Sequence, residues 1–141
     1  VIYLDTSVLG AVFFREAGAA DLVSRLESLR KERLMISAWT LTEMASVGGI
    51  KQRTGAVDGA MRQAALANFQ RFASTHLGTV EIEPADFRTA AVLIETPATL
   101  RAGDALHLAV ARRLRASFAT LDTRLRQAAD TLGLLCIPLE D

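Results

Sequence analysis

The sequence predicts one α/β domain spanning residues 1–141, a three-layer α/β/α sandwich around a central parallel sheet. Three observations predict it. Short apolar or β-branched runs alternate with longer helical patterns along the whole chain, and each parallel crossover needs a connection of helix length. A length of 141 residues suits one domain rather than two. Half of the residues are hydrophobic and 23% are charged, which is enough apolar surface to close a core and too little charge for disorder.

Strands are expected at 1–4 (Val-Ile-Tyr-Leu), 34–37, 79–83, 117–120 and 134–137. Between them, 19–32 places Leu22, Val23, Leu26 and Leu29 at helical spacing. A helix over 39–48 ends at Gly48-Gly49, which reads as its stop signal and, lacking a following Lys-Ser/Thr, not as a phosphate loop. The stripe Met61, Ala65, Leu66, Phe69 and Phe72 predicts a helix over 56–76 with Gly78 just past its end. Helices over 85–95, 104–115 and 123–132 complete the set, with Pro97 stopping the first of these. No repeat or interdomain linker interrupts the pattern.

Composition excludes several classes. The single Cys136 makes neither a disulfide framework nor a thiolate zinc site and reads as a small buried apolar residue. No apolar run reaches the roughly 18 residues of a membrane span, since Asp5 and Arg15 break the longest one near the start. Val1 to Leu4 does not resemble a signal peptide, so a reducing cytoplasmic setting is the default expectation.

In an open parallel sheet, ligands bind beyond the carboxyl ends of the strands, near the point where strand order reverses. Asp5 follows the first strand directly, and Asp122 lies two residues after Thr120 at the end of the fourth. Glu43 sits about one and a half turns into the helix after the second strand, and Asp104 opens a helix after Gly103. All four can reach one rim. Asp5, Asp104 and Asp122 also stand where helix N-caps stand, and Glu43 can equally occupy a solvated face. If the four converge, pairs of like charges about 4 Å apart repel by about 4 kcal/mol at an effective dielectric near 20, so the cluster must hold a proton or a cation. An all-oxygen donor set favours Mg²⁺, or Mn²⁺ in its place, over Zn²⁺. Such an ion suits phosphodiester hydrolysis.

The run Val1-Ile2-Tyr3-Leu4-Asp5-Thr6-Ser7-Val8-Leu9 resembles the opening of the PIN-domain ribonucleases, most closely the VapC toxins of toxin–antitoxin pairs. Glu43, the Gly103-Asp104-Ala105-Leu106-His107-Leu108-Ala109 helix start and the Thr120-Leu121-Asp122 turn follow in the family's order and approximate spacing. The resemblance implies a PIN-like fold and a metal-dependent endoribonuclease that acts as a toxin. It makes Asp5, Glu43, Asp104 and Asp122 the catalytic and metal-binding acids, with Ser7 and Thr120 orienting carboxylates or water; local capping is the competing role for those two hydroxyls. A homodimer and a cognate antitoxin are implied too, the antitoxin inserting a segment whose basic side chain competes for Asp5 or Glu43. Many relatives have Asn before the last acid, where this chain has Leu121, so that polar neighbour of Asp122 is absent. The chain also starts at Val1 rather than Met.

Net charge is zero, with 16 basic and 16 acidic residues. Assigning four acids to a metal leaves the rest of the chain basic, and residues 101–126 carry Arg101, Arg112, Arg113, Arg115, Arg124 and Arg126 against only Asp104 and Asp122. RNA phosphates are the expected partners, with a solvated helix face as the alternative. Arg112 and Arg113 are candidates some distance from the cut, while Arg101 and Arg124 are candidates beside it. His107 reads as a structural histidine rather than a ligand, His76 as a helix-dipole partner, and Trp39, Phe13 and Phe14 as packing residues.

Other functions fit less well. Aspartyl-phosphatase chemistry wants a second acid near position 7, where Ser7 stands, and a phospho-accepting receiver wants a late Lys, whereas the only lysines are Lys31 and Lys51. A non-catalytic PIN-like scaffold that binds RNA or a partner is the remaining alternative, and the presence of all four acids argues against it.

Overall fold

The computed structural model describes residues 1–140. Four strands, β1 (Ile2–Leu4), β2 (Leu34–Ser37), β3 (Gly78–Val80) and β4 (Ser117–Ala119), form one sheet in the order β3-β2-β1-β4. All its pairings are parallel, with Ile2 opposite Leu34 and Ser117, Tyr3 opposite Met35 and Phe118, and Ile36 opposite Thr79. The helices are α1 (Thr6–Phe13), α2 (Ala19–Ser28), α3 (Ala38–Arg53), α4 (Gly59–His76), α5 (Pro84–Ile94), α6 (Ala102–Arg113) and α7 (Thr123–Thr131).

Strand residues alternate between the two faces. Ile2, Leu4, Leu34, Ile36 and Ala119 pack with Leu9, Leu26, Met44 and Phe69 from α1 to α4. Tyr3, Met35 and Phe118 face the other way, against Leu93, Leu108 and Leu125 from α5, α6 and α7. This is the expected α/β/α sandwich. No helix among the described residues is long and apolar enough to cross a membrane.

Four local expectations are corrected. Helix α1 lies outside the expected set because Val8, Leu9, Gly10 and Ala11 are all buried, which leaves no polar stripe to reveal its period. Helix α3 does not stop at Gly48-Gly49 but runs through both to Arg53. There the glycines serve packing: a Cβ on Gly48 would lie 3.2 Å from the Arg62 side chain on α4. The chain turns instead at Gly55, whose φ of 80° suits glycine. The run 134–137 makes only an isolated parallel bridge between Phe118 and Cys136, because Gly133 at φ 84° precedes it and Pro138 cannot donate to a ladder. Finally, α6 begins at Ala102 with Arg101 as its N-cap, so Asp104 is its third residue and not its cap.

Candidate metal centre at the strand-order switch

The chain fills the sheet outward from β1 to β3, then returns to the opposite side of β1 as β4. The switch point therefore lies between β1 and β4, where Asp5 and Asp122 emerge. Asp5 is the N-cap of α1 and Asp122 the N-cap of α7; Glu43 comes from α3 and Asp104 from the first turn of α6. All four line one open cavity of about 550 Å³, together with Thr6, Ser7, Arg101 and Leu121.

Capping and availability coexist, because each cap uses one carboxylate oxygen. Asp5 Oδ2 accepts from Ser7 Oγ at 2.7 Å, Thr120 Oγ1 at 2.8 Å and the Ser7 amide at 3.4 Å. Its Oδ1 lies 3.8 Å from His107 Nε2 and makes no hydrogen bond among the described residues. Asp122 Oδ1 accepts from the amides of Arg124 at 3.0 Å and Leu125 at 3.2 Å, leaving Oδ2 without a partner among the described residues. Glu43 Oε1 accepts from Thr6 Oγ1 at 2.7 Å and from His107 Nε2, and Oε2 is spare in the same way. Asp104 caps nothing and makes no side-chain hydrogen bond among the described residues.

The two supporting hydroxyls each hold two groups. Thr120 Oγ1 donates to Asp5 and accepts from the Asp122 amide at 3.1 Å, while Ser7 Oγ donates to Asp5 and accepts from the Leu121 amide at 3.1 Å. Leu121 turns its side chain to the core formed with α1 to α4, so only its backbone serves the site.

His107, Tyr3, Thr6 and Ser37 form a second tier that the sequence reading did not connect to the acids. His107 is fully buried; its Nδ1 lies 2.6 Å from Tyr3 Oη, its Nε2 faces Glu43 and lies 3.1 Å from Thr6 Oγ1, and Tyr3 Oη lies 2.8 Å from Ser37 Oγ. Both ring nitrogens are engaged, which removes the imidazole from the set of available metal donors. The signal in the sequence is a histidine within the continuously apolar stretch Ala105 to Ala111, where a buried polar ring needs partners.

Charge crowding is visible in the titration behaviour. Partial burial and the neighbouring Asp5, Asp122 and Glu43 raise Asp104 to a pKa of about 6, with His107 opposing them. Burial pushes Glu43 upward, yet the hydrogen bonds from His107 and Thr6 and the charge of His107 win and hold it below the usual carboxylate range. Burial, with Asp5 and Glu43 adding to it, raises Tyr3, so its phenol keeps its proton.

The arginines divide. Arg101 lines the acid cavity, and it shares a neighbouring cavity of about 370 Å³ with Arg124, Asp104 and Asp122. Arg112 is exposed in the last turn of α6. Arg126 Nη2 donates to the Thr120 carbonyl at 3.2 Å. Arg113 does not join the site: its guanidinium makes a two-point contact with buried Asp86 at 2.9 and 3.0 Å, pairs with Glu83 at 3.3 Å and donates to the Glu81 carbonyl. Phe13 packs edge-on against Phe69, His76 lies tilted against Phe72, and Trp39 packs beside the α5–α6 core with its Nε1 lacking a partner among the described residues.

The donor set suits a hard divalent cation, since the spare atoms are all carboxylate oxygens. Among the described residues, no three His, Cys, Asp or Glu side chains stand close enough together to hold a metal ion as they are placed.

A family model described as "PIN domain" matches residues 2–131. Among solved structures, the chain is similar to the sarcin-ricin loop cleaving toxin VapC20 of Mycobacterium tuberculosis, with TM-score 0.71 and 19% identity over 97% of this chain and 98% of that one. It is also similar to VapBC2 from Rickettsia felis bound to a promoter DNA fragment, with TM-score 0.72 and 17% identity over 97% and 98%. A third likeness is to FitAcB from Neisseria gonorrhoeae, with TM-score 0.69 and 20% identity over 99% and 98%. At these identities the likeness is one of fold. No curated protein matches the chain.

Proposed function

The chain belongs to the PIN-domain family, and from that premise we propose that it is a Mg²⁺-dependent endoribonuclease acting as the toxin of a toxin–antitoxin pair. One observation carries the reading: Asp5, Glu43, Asp104 and Asp122, from separate elements, line one cavity at the β1/β4 switch point, and each has at least one oxygen with no hydrogen bond among the described residues, while Glu16 in the same lining is paired with Lys51. Asp5, Glu43, Asp104 and Asp122 hold the ion, with Mn²⁺ as a substitute. When bound, it supplies Lewis acidity and an activated water for phosphodiester hydrolysis.

The chain's own residues do the rest. Ser7 and Thr120 fix the direction of Asp5, and Thr120 ties that acid to the turn carrying Asp122. Arg101 and Arg124 are exposed at the rim and stand outside the ion pairs of the described residues, so both are free to take phosphates flanking the cut. Arg112 serves a more distant phosphate.

The solved VapBC2 and FitAcB structures named above support a cognate antitoxin as a partner for this chain. A basic antitoxin side chain finds the spare oxygens of Asp5 or Glu43 as its acceptors. We place the toxin in the cytoplasm as a homodimer. Light scattering at high concentration tests the dimer, and a strict monomer would contradict it.

The decisive test of activity is incubation of the purified protein with total RNA in Mg²⁺, with and without chelator, beside the Asp104→Asn variant. Chelator-sensitive cleavage by the parent alone is expected. Equal cleavage by the two proteins would remove the acidic site from the reaction.

A further inference from the structure

Glu43 is the one site acid set back on a helix flank rather than at a strand or helix end, and a glutamate there has three torsions to lose before it can serve as a ligand. Its carboxylate is nevertheless held. Oε1 receives Thr6 Oγ1 at 2.7 Å and His107 Nε2, and Thr6 and His107 belong to α1 and α6, two elements other than its own. A carboxylate only accepts, so Nε2 must carry a proton in either charge state of the ring. At the other ring nitrogen, Tyr3 Oη lies 2.6 Å from Nδ1 and 2.8 Å from Ser37 Oγ. The hydroxyl of β1 thereby holds the ring with Nε2 aimed at Glu43 on α3, as groups behind a metal ligand commonly do.

The other oxygen is bounded as well. A Cβ on Gly103 would sit 3.0 Å from Glu43 Oε2 and 3.3 Å from Trp39 Nε1. The glycine preceding Asp104 therefore leaves room for Oε2 at the start of α6, while Oε1 is held inward by Thr6 and His107.

We propose that His107, held by Tyr3 and assisted by Thr6, is a positioning residue that clamps Glu43 through Oε1 and so presents Oε2 for metal binding. This rests on the metal-dependent reading of the site. His107 touches neither metal nor substrate, and its role is exerted through Glu43. The competing account is that the ring merely fills the core between β1 and α6.

The test is Mn²⁺ binding to RNA-free full-length protein, followed by the loss of the free-ion electron paramagnetic resonance signal, together with ¹⁵N spectra of the imidazole. The parent should show a protonated Nε2. His107→Ala should weaken Mn²⁺ binding by about 10–100-fold, His107→Gln should recover most of that loss by restoring an N–H donor at similar depth, and Tyr3→Phe should lie between. Thr6→Val removes the second donor to the same oxygen and carries the test should His107→Ala fail to fold.

Parent-like Mn²⁺ affinity in His107→Ala, or in Thr6→Val where that variant stands in, would overturn the clamp while leaving the metal site intact. A folded His107→Gln as weak as His107→Ala would overturn it in favour of core filling. A parent that binds no Mn²⁺, with Asp104→Asn making no difference, would instead overturn the metal reading and the clamp with it.

Discussion

The hydroxyl of Thr120 donates to Asp5 Oδ2 across the β1/β4 seam at 2.8 Å and accepts from the Asp122 amide at 3.1 Å. One side chain thus couples the two acids that flank the switch point. Asp5 is only 5% exposed, so losing a donor leaves part of its charge unsatisfied. Thr120→Val, nearly isosteric, should cost about 1–2 kcal/mol of stability and lower cleavage. Asp5→Asn should abolish cleavage with the fold retained. Denaturant melts beside RNA cleavage assays check both, and a Thr120→Val protein with parental activity would show that the hydroxyl is a local cap and nothing more.

Asp104 titrates near 6 because it is partly buried beside Asp5, Asp122 and Glu43. A carboxyl group with a raised folded pKa favours the fold at low pH and loses that contribution as pH rises from about 4 through about 6. At pH 7 without metal the parent therefore carries the full repulsion, and Asp104→Asn should be more stable by on the order of 1–2 kcal/mol, allowing for partial exposure. The gain should vanish near pH 4. Saturating Mg²⁺ should reverse the ranking, since ligand stabilises only the protein that binds it. Melting curves at the two pH values, with and without Mg²⁺, measure all three effects.

Gly103→Ala places a methyl group 3.0 Å from Glu43 Oε2. Alanine is a better helix former than glycine, so stability should hold or rise slightly while Mn²⁺ affinity and cleavage fall. A variant equal to the parent in both would show that Glu43 has slack at that edge.

Asp86 is 2% exposed and grips Arg113 through both oxygens. Burial alone would raise its pKa, yet the Arg113 contacts and the Glu83 amide hold it below the ordinary value. A depressed folded pKa contributes stability above about pH 4, the unfolded value, and loses it as pH falls through the folded one. Arg113→Ala should cost about 2 kcal/mol at neutral pH and blunt the acid limb of the stability profile. RNA affinity should be unchanged, which a binding isotherm on catalytically inactive protein would establish.

Arg124→Gln and Arg101→Gln should each weaken RNA binding and reduce the slope of log affinity against log salt by about one phosphate's worth of released counterions. Measurement on the Asp104→Asn background prevents cleavage from interfering. An unchanged slope for both would return these residues to a solvated face.

The sequence by itself determined the layer architecture and the placing of three acids, Asp5, Glu43 and Asp122, toward one rim of the sheet. Alternating short and long apolar patterns dictate parallel strands with helical crossovers, and the carboxyl ends of those strands locate Asp5, Asp122 and, a turn or more beyond, Glu43. Both signals are local, depending on periodicity and on position relative to a strand end, and so they survive without knowledge of the fold. Tertiary structure alone decided what the partners are. Arg113 reads as one of several basic residues until α5 brings Asp86 against it, Gly48-Gly49 reads as a stop until α4 packs onto it, and α1 has no amphipathic stripe because it is covered on several sides. His107 is 104 residues from Tyr3 and 64 from Glu43. Whether a buried histidine fills space or aims a carboxylate depends on which distant groups the fold sets within 3 Å of its two nitrogens, and no spacing along the chain encodes that.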